Sequence, residues 1–403
     1  MPINYARFIA LIVNHLRFLV DFGSVRFRII CCPVSIKYAR ESVFYSNLIN
    51  MSHQLSNLII PQHLSPGDKI ATVSLSWGGA GDPKFQPRYQ QGKAALENSL
   101  GLSVVEMDNT LKGSAYLAEN IQARVDDLHQ AFQDPSIRAI ISCVGGDDSI
   151  RLVDRIDFDL LRKNPKIFIG FSDSTITHFV CLKAGLRSYY GPSVLTNLAT
   201  DGGPHPYMID SIRKTLFQQA TIGPLTHSAS GWSYEDRNWA MPPDEQINME
   251  IFPPLPWKFI QGQSPVSGRL LGGCTDAFPT INDTSIWPDH SCWDGAVLFL
   301  ENFGGPLSPE AFLAILRNLG DQGILGRING ILFGRPDRVP VNQFGEYEDL
   351  LIKTAREYNR PDLTIVSRMD FGHTDPVLLL PYGAKVHIDP AQQKVSIEES
   401  GCV

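Results

Sequence analysis

Ser172 stands between an apolar run, Lys166–Gly170 (KIFIG), and a helix-forming segment that starts at Ser174. A serine on a sharp strand-to-helix turn has its hydroxyl lifted clear of the sheet. The helix N-terminus behind it offers backbone N–H groups to an oxyanion. Gly170 lies two residues before it, but position 174 is Ser, so a G-x-S-x-G spacing is only half met. The same residues also suit a plain helix cap, Ser172 or Asp173. Glu301 directly follows Ala296–Leu300 (AVLFL), which puts a carboxylate at the C-terminal end of a strand. It is either an exposed strand terminus or a buried acid that needs a partner. His373 lies in the loop Phe371-Gly372-His373-Thr374-Asp375-Pro376. A serine nucleophile needs a base, and the base needs a carboxylate to hold its tautomer. Ser172, Glu301 and His373 supply one of each, although linear spacing does not bring them together.

Gly145-Gly146-Asp147 follows another apolar run, Arg138–Val144. It is a turn, or a place where N–H groups point at an oxyanion. His178 falls on the helix after Ser172 and reads as packed there. His205, His227 and His290 sit in irregular segments without metal-ligand spacing, and no H-E-x-x-H or C-x-x-C occurs, so no zinc site is expected.

The elements that must position these residues alternate. Strands are expected at Lys69–Ser74, Leu102–Met107, Arg138–Val144 and Lys166–Gly170. Helices are expected at Pro87–Leu100, stopped by Gly101, at Asn120–Phe132, and from Ser174 to about Lys183. That alternation implies a parallel sheet with helices on both faces. From about 191 to 266 the pattern breaks into Pro- and Gly-rich sequence carrying Trp232, Tyr234, Trp239 and Trp257, which reads as a functional loop or linker. A second α/β pattern follows. Its expected strands are Ala296–Leu300, Asn329–Phe333 and Leu363–Val366, its helices begin at Ser308-Pro309 and Tyr347, and a closing hairpin pairs Ala384–Ile388 with Lys394–Ile397.

The 403 residues are 43% hydrophobic and 19% charged, the composition of a folded globular chain. The net charge of −7 disfavours nucleic acid, and no run is long enough to span a membrane. Seven cysteines suggest a reducing, cytoplasmic compartment rather than a disulfide scaffold. Residues 1–50 hold six basic and two acidic residues, so that segment is +4 and the remainder −11. Residues 1–53 are expected to lie outside the fold, as a start codon placed too early or a dispensable tail in preference to a transit peptide.

Six segments in order resemble the LD-carboxypeptidase and microcin C immunity serine peptidases: Leu64–Ile70, Gly145–Ser149, Gly170–Asp173, Gly268–Gly273, Leu298–Asn302 and Phe371–His373. They span about residues 60–395. The resemblance implies a flavodoxin- or amidotransferase-like N-terminal α/β domain (54–190) and a smaller C-terminal α/β domain (267–403), with 191–266 between them and the site at their junction. It implies Ser172 as nucleophile, His373 as general base and Glu301 as its orienter, with N–H groups of Gly146 or Asp147 and of Asp173 as the oxyanion hole. It also implies amide hydrolysis through an acyl-enzyme with no metal or cofactor, and a homodimer. Cys274 stands where the family has Asn, and Asp147-Asp148 adds negative charge beside the site.

The family's branches take different substrates: the terminal D-Ala of a murein tetrapeptide, or an amide in a peptidyl or aminoacyl nucleotide. Trp232, Tyr234 and Trp239 would suit a nucleobase platform, or else cover a hinge, and they tilt the expectation to the second branch. A non-catalytic peptide- or nucleotide-binding protein and an α/β-hydrolase esterase are the alternatives. Retention of Ser, Glu and His argues against the first, and the missing second elbow glycine against the other.

Overall fold

The computed structural model describes residues 55–234, 239–240, 250–303 and 308–403. The expectation for residues 1–53 lies outside the described residues.

The first sheet contains β1 (Lys69–Val73), β2 (Ser103–Glu106), β3 (Ile137–Ser142), β4 (Ile167–Gly170), β5 (Tyr189–Tyr190) and β14 (Leu380–Pro381), in the order β14-β5-β4-β3-β1-β2. Strands β1 to β5 pair in parallel, and β14 closes the edge antiparallel to β5. Successive residues of these strands feed opposite faces, as the pleat requires. Ala71, Ile140 and Phe168 pack with Val125, Leu128, Phe132, Ile176 and Phe179 of the helices Ile121–Gln133 and Ser174–Lys183. Ile70, Ile141, Ile167 and Ile169 pack on the other side with Tyr89 and Leu96 of the helix Gln86–Leu100, and with Met208 and Ile212 of Pro206–Leu216. Both faces are therefore covered, which explains why the strands read as continuous apolar runs. Gly101 ends its helix in the left-handed region at φ 70°.

Within 191–266, read from sequence as a functional loop or linker, lie the helix Pro206–Leu216 and the strand β6 (Thr221–Leu225). Pro206 occupies the first turn, and the His205 side chain accepts a hydrogen bond from Tyr207 N at 3.2 Å. Met208, Ile209, Ile212 and Leu216 form a buried stripe at helical spacing. The dense Pro and Gly on either side masked that stripe.

The remaining strands are β7 (Ser233–Tyr234), β8 (Lys258–Gln261), β9 (Val266–Cys274), β10 (Val297–Glu301), β11 (Gly330–Gly334), β12 (Thr364–Met369), β13 (Thr374–Asp375), β15 (Lys385–Asp389) and β16 (Lys394–Ser400). The second sheet runs β6-β16-β15-β9-β10-β11-β12-β8, and a small ribbon joins β7 to β13. Its centre, β9 to β12, is parallel. The helix Pro309–Asp321 begins as expected, with Ser308 Oγ accepting from Ala311 N at 3.3 Å. It buries Phe312, Leu316 and Leu319 in the core that also holds Leu298, Phe299 and Leu332. Truncating one such side chain to Ala typically costs about 2–5 kcal/mol.

Candidate functional site

Order 2-1-3-4-5 in the first sheet places a topological switch point between β1 and β3, where crevices form outside the carboxyl ends of strands. A cavity of about 630 Å³ opens there. Trp77 from the loop after β1 and Gly145, Gly146 and Asp147 from the loop after β3 line it, together with Ser172, Cys274 and His373.

Ser172 follows β4 at φ 61°, in the left-handed region that costs a non-glycine residue conformational energy. The turn ahead of the helix Ser174–Lys183 thus has the strained geometry of an elbow, with Ser172 O accepting from Thr175 N at 2.9 Å. The hydroxyl of Ser172 and Nε2 of His373 are 3.0 Å apart. Nδ1 of His373 is 2.7 Å from Oε2 of Glu301. Glu301, fully buried at the end of β10, comes from the second sheet. The imidazole is wedged between Phe171 and Phe303, each 4.9 Å away between ring centres. Gly372 has φ 99°, and a side chain there would begin 2.6 Å from Oε2 of Glu301, so only glycine lets the His373 loop lie against that carboxylate.

Burial pulls the His373 pKa down, but the Glu301 charge and hydrogen bond, with Asp337 and Asp276 behind them, outweigh it. The imidazole is held above its ordinary 6.5. Asp276, also on the cavity wall, is raised by its own burial and by Glu301, although it accepts from Phe303 N at 3.1 Å.

Gly146, at φ 144°, brings the backbone so close to Ser76 and Trp77 N that a side chain would strike the Ser76 hydroxyl at 2.4 Å. No protein acceptor among the described residues takes the N–H of Gly146, Asp147 or Asp173. Asp173 instead receives Ser149 N on its carboxylate at 3.0 Å. Asp148 turns from the cavity to ion pairs with Arg124 at 2.7 Å and Arg151 at 3.1 Å, so only Asp147 of that acidic pair faces the site.

The aromatic residues divide. Trp239 lines the cavity with Trp77, their ring centres 6.2 Å apart, and the Arg88 guanidinium lies over Trp239 at 4.9 Å. Trp232 is only 2% exposed, stacked on Phe252 at 4.7 Å, and is not on the cavity wall. Tyr234 pairs through β7 with Thr374, bracing the strand after His373 rather than facing the cavity. Cys274 is buried at the end of β9, its thiol pushed well up by burial and by the neighbouring Glu301, and it donates weakly to Asp276 at 3.5 Å. The Cys274 sulfur, a Glu301 carboxylate oxygen and a His373 ring nitrogen lie within 4.8 Å of one another. A cation there would have to displace the Nδ1–H···Oε2 bond.

His178 is fully buried, donating Nε2–H to Gly170 O at 2.8 Å and accepting from Ser188 Oγ at 2.9 Å, and burial pushes its pKa down to about 3. It is a packed residue, as its helical position suggested. Trp77, Tyr190, Asp276 and Arg338 were not singled out by sequence. Trp77 carried a signal, being at the mouth of the first strand's loop; the others carried none.

The LD-carboxypeptidase N-terminal domain model matches residues 70–191, and the LD-carboxypeptidase C-terminal domain model matches 267–388. A putative carboxypeptidase of Vibrio cholerae is 28% identical over 349 residues, 85% of this chain and 98% of that one. The microcin C7 self-immunity protein MccF of Escherichia coli is 26% identical, covering 85% and 97%. A probable murein peptide carboxypeptidase of Bacillus subtilis is 28% identical, covering 84% and 94%. Among solved structures, an MccF-like protein from Streptococcus pneumoniae in complex with AMP superposes with a TM-score of 0.73 at 28% identity, covering 83% of this chain and 99% of that one. MccF in complex with aspartyl sulfamoyl adenosine superposes with a TM-score of 0.73 at 25% identity, covering 86% and 100%.

Proposed function

The chain belongs to the LD-carboxypeptidase family, and on that premise we propose that it is a serine peptidase hydrolysing an amide in an aminoacyl or peptidyl nucleotide. The observation that carries this reading is the relay from Ser172 Oγ through His373 to Glu301, with separations of 3.0 and 2.7 Å.

In this mechanism Ser172 gives its proton to His373 Nε2 as Oγ attacks the acyl carbon. His373 Nδ1–H donates to Glu301 throughout, and the carboxylate stabilises the imidazolium without taking its proton. The oxygen left negative lies against the unspent N–H groups of Gly146 or Asp147 and of Asp173. The imidazolium then protonates the leaving nitrogen, the C–N bond breaks, and an ester on Ser172 remains. Water, deprotonated by His373, attacks that ester; the C–Oγ bond breaks, Ser172 Oγ takes the proton back from His373, and the acid leaves.

Two features favour the nucleotide over a murein tetrapeptide. Trp77 and Trp239 present aromatic surface on one wall, and base stacking contributes about 1–3 kcal/mol per base. Asp147, Asp173, Asp276, Asp337 and Asp375 line the cavity against one guanidinium, Arg338, itself 3.7 Å from Asp337. Such a wall attracts the ammonium of an aminoacyl group. Relatives crystallised with AMP and with aspartyl sulfamoyl adenosine agree with that choice. The second reading, release of D-Ala from a murein tetrapeptide, draws on Arg338 as a carboxylate partner and on the murein peptide carboxypeptidase relative.

A cytoplasmic site of action is part of the proposal. The five described cysteines, Cys143, Cys181, Cys274, Cys292 and Cys402, are free, and no described helix is long and apolar enough to cross a membrane. A homodimer is proposed too, and light scattering checks it. The test of function incubates the full chain with an aminoacyl sulfamoyl adenylate and, separately, with a murein tetrapeptide, and reads products by mass. Amino-acid release from the first supports the proposal. Loss of D-Ala from the second alone replaces it with the second reading, and turnover of neither refutes both.

A further inference from the structure

We propose that Tyr190 is a positioning residue that closes the relay into a ring, setting the proton affinity of the Glu301–His373 pair and anchoring the Ser172 elbow. This rests on the serine-peptidase reading and adds a member to its machinery.

The backbone N–H of Ser172 donates to the Tyr190 hydroxyl at 3.1 Å. That hydroxyl donates in turn to Oε1 of Glu301 in a short hydrogen bond. His373 uses the other oxygen, Oε2. Ser172 and Glu301 are thus joined twice, once through the imidazole and once through the phenol. Tyr190 is fully buried and locked by its neighbours, with Phe299 at 5.3 Å, His178 at 5.6 Å and Tyr382 at 6.5 Å between ring centres. Its place follows from sheet register, since Tyr190 pairs with Gly170, two residues before Ser172. The phenol stays protonated because burial and the adjacent Glu301 charge hold its pKa well above 10, so it can only donate to the carboxylate.

A neutral donor on Oε1 stabilises the carboxylate charge and draws it from Oε2. The groups facing the Glu301–His373 pair are Tyr190, Tyr382 and Cys274, with Asp276 and Asp337 as nearby carboxylates. The carboxylates raise the pair's proton affinity, and Tyr190 opposes them. Removing its hydroxyl leaves more charge on Oε2 and makes His373 hold its proton more tightly. The same bond takes the Ser172 N–H out of the oxyanion hole, leaving that task to Asp173 and the Gly146–Asp147 turn.

The test follows the His373 imidazole signal by NMR in full-length protein with labelled histidine. Y190F should raise the titration midpoint by about one pH unit, the worth of one charge-assisted hydrogen bond. Replacing Tyr190 with 3-fluorotyrosine, a stronger donor of nearly the same shape, should lower it. The acid limb of kcat/KM should move with the midpoint. Opposite shifts support the role, and midpoints unchanged in both proteins overturn it. If Y190F fails to fold, the fluorinated protein decides alone. Failure of the parent reading looks different: S172A would then hydrolyse as fast as wild type, whatever the Tyr190 variants do.

Discussion

Ser172, in the turn after a strand of the first sheet, and Glu301, at the end of a strand of the second, are joined by one hydrogen-bonded path through His373 and a second through Tyr190. The Ser172 hydroxyl and the Glu301 carboxylate are therefore held in register by backbone as well as by side chain.

Ser172→Ala removes the proposed nucleophile but leaves the cavity intact. We expect kcat to fall on the order of 10⁴–10⁶-fold with substrate binding retained. Turnover measured by mass, with labelling by a serine-directed phosphonate, checks it. Wild-type turnover in this variant excludes the acyl-enzyme route.

In the proposed mechanism His373 must be neutral to accept the serine proton. Its pKa lies above the ordinary 6.5, so activity should be low in acid and climb as pH rises through that elevated value. Glu301→Gln removes the charge that raises it. The acid limb should then shift to lower pH while kcat drops roughly 10⁴-fold, because the imidazole loses its tautomer control. A pH–rate profile of both proteins gives the sign directly.

Trp239→Ala strips one aromatic face from the cavity wall. For a nucleotide substrate we expect KM to rise by roughly 5- to 150-fold, matching the loss of about 1–3 kcal/mol of stacking. Hydrolysis of a substrate without a base should be nearly unaffected. Equal losses on both substrates would show that Trp239 only packs against Trp77 and Arg88.

Gly372→Ala places a methyl group 2.6 Å from the Glu301 carboxylate and strains a backbone at φ 99°. Either the acid or the His373 loop must move. We expect kcat to fall at least about tenfold. Circular dichroism would verify that the fold is kept, and an active enzyme with wild-type kcat would contradict the close approach.

Asp370, three residues before His373, is almost wholly buried. It accepts from Arg335 at 2.5 Å and from Trp257 Nε1 at 2.6 Å. Asp370→Ala leaves the Arg335 guanidinium buried without its counter-charge, which should cost about 3–5 kcal/mol of stability. Denaturant unfolding measures it, and a change below about 1 kcal/mol would mean that water or a rearranged partner replaces the carboxylate.

What could be read from sequence was what depends on local order. Ser172 and Glu301 stand at strand ends that apolar runs announce, and Ser308-Pro309 marks a helix start through the chemistry of its own two residues. Relations between distant segments were not legible. Asp148 looked like charge beside the site until Arg124, from a helix 24 residues earlier, proved to hold it elsewhere. Trp232 looked like a ligand platform because aromatics in loops serve either purpose, and only its packing on Phe252 separates them. Tyr190 belongs to a two-residue strand with no periodicity to mark it, and its partners arise from the pairing of β4 with β5 and the meeting of two sheets.

The antiparallel contact of β14 with β5, Leu380 against Tyr190, has a consequence for biosynthesis. A ribosome delivers the chain from its N-terminus, so β1 to β5 emerge long before residue 380. Until then the strand carrying Tyr190 is an open edge, exposed to pairing with other nascent chains. Glu301 and His373 also emerge late. On the proposed reading, a nascent chain holds Ser172 without its base until the segment carrying His373 has emerged.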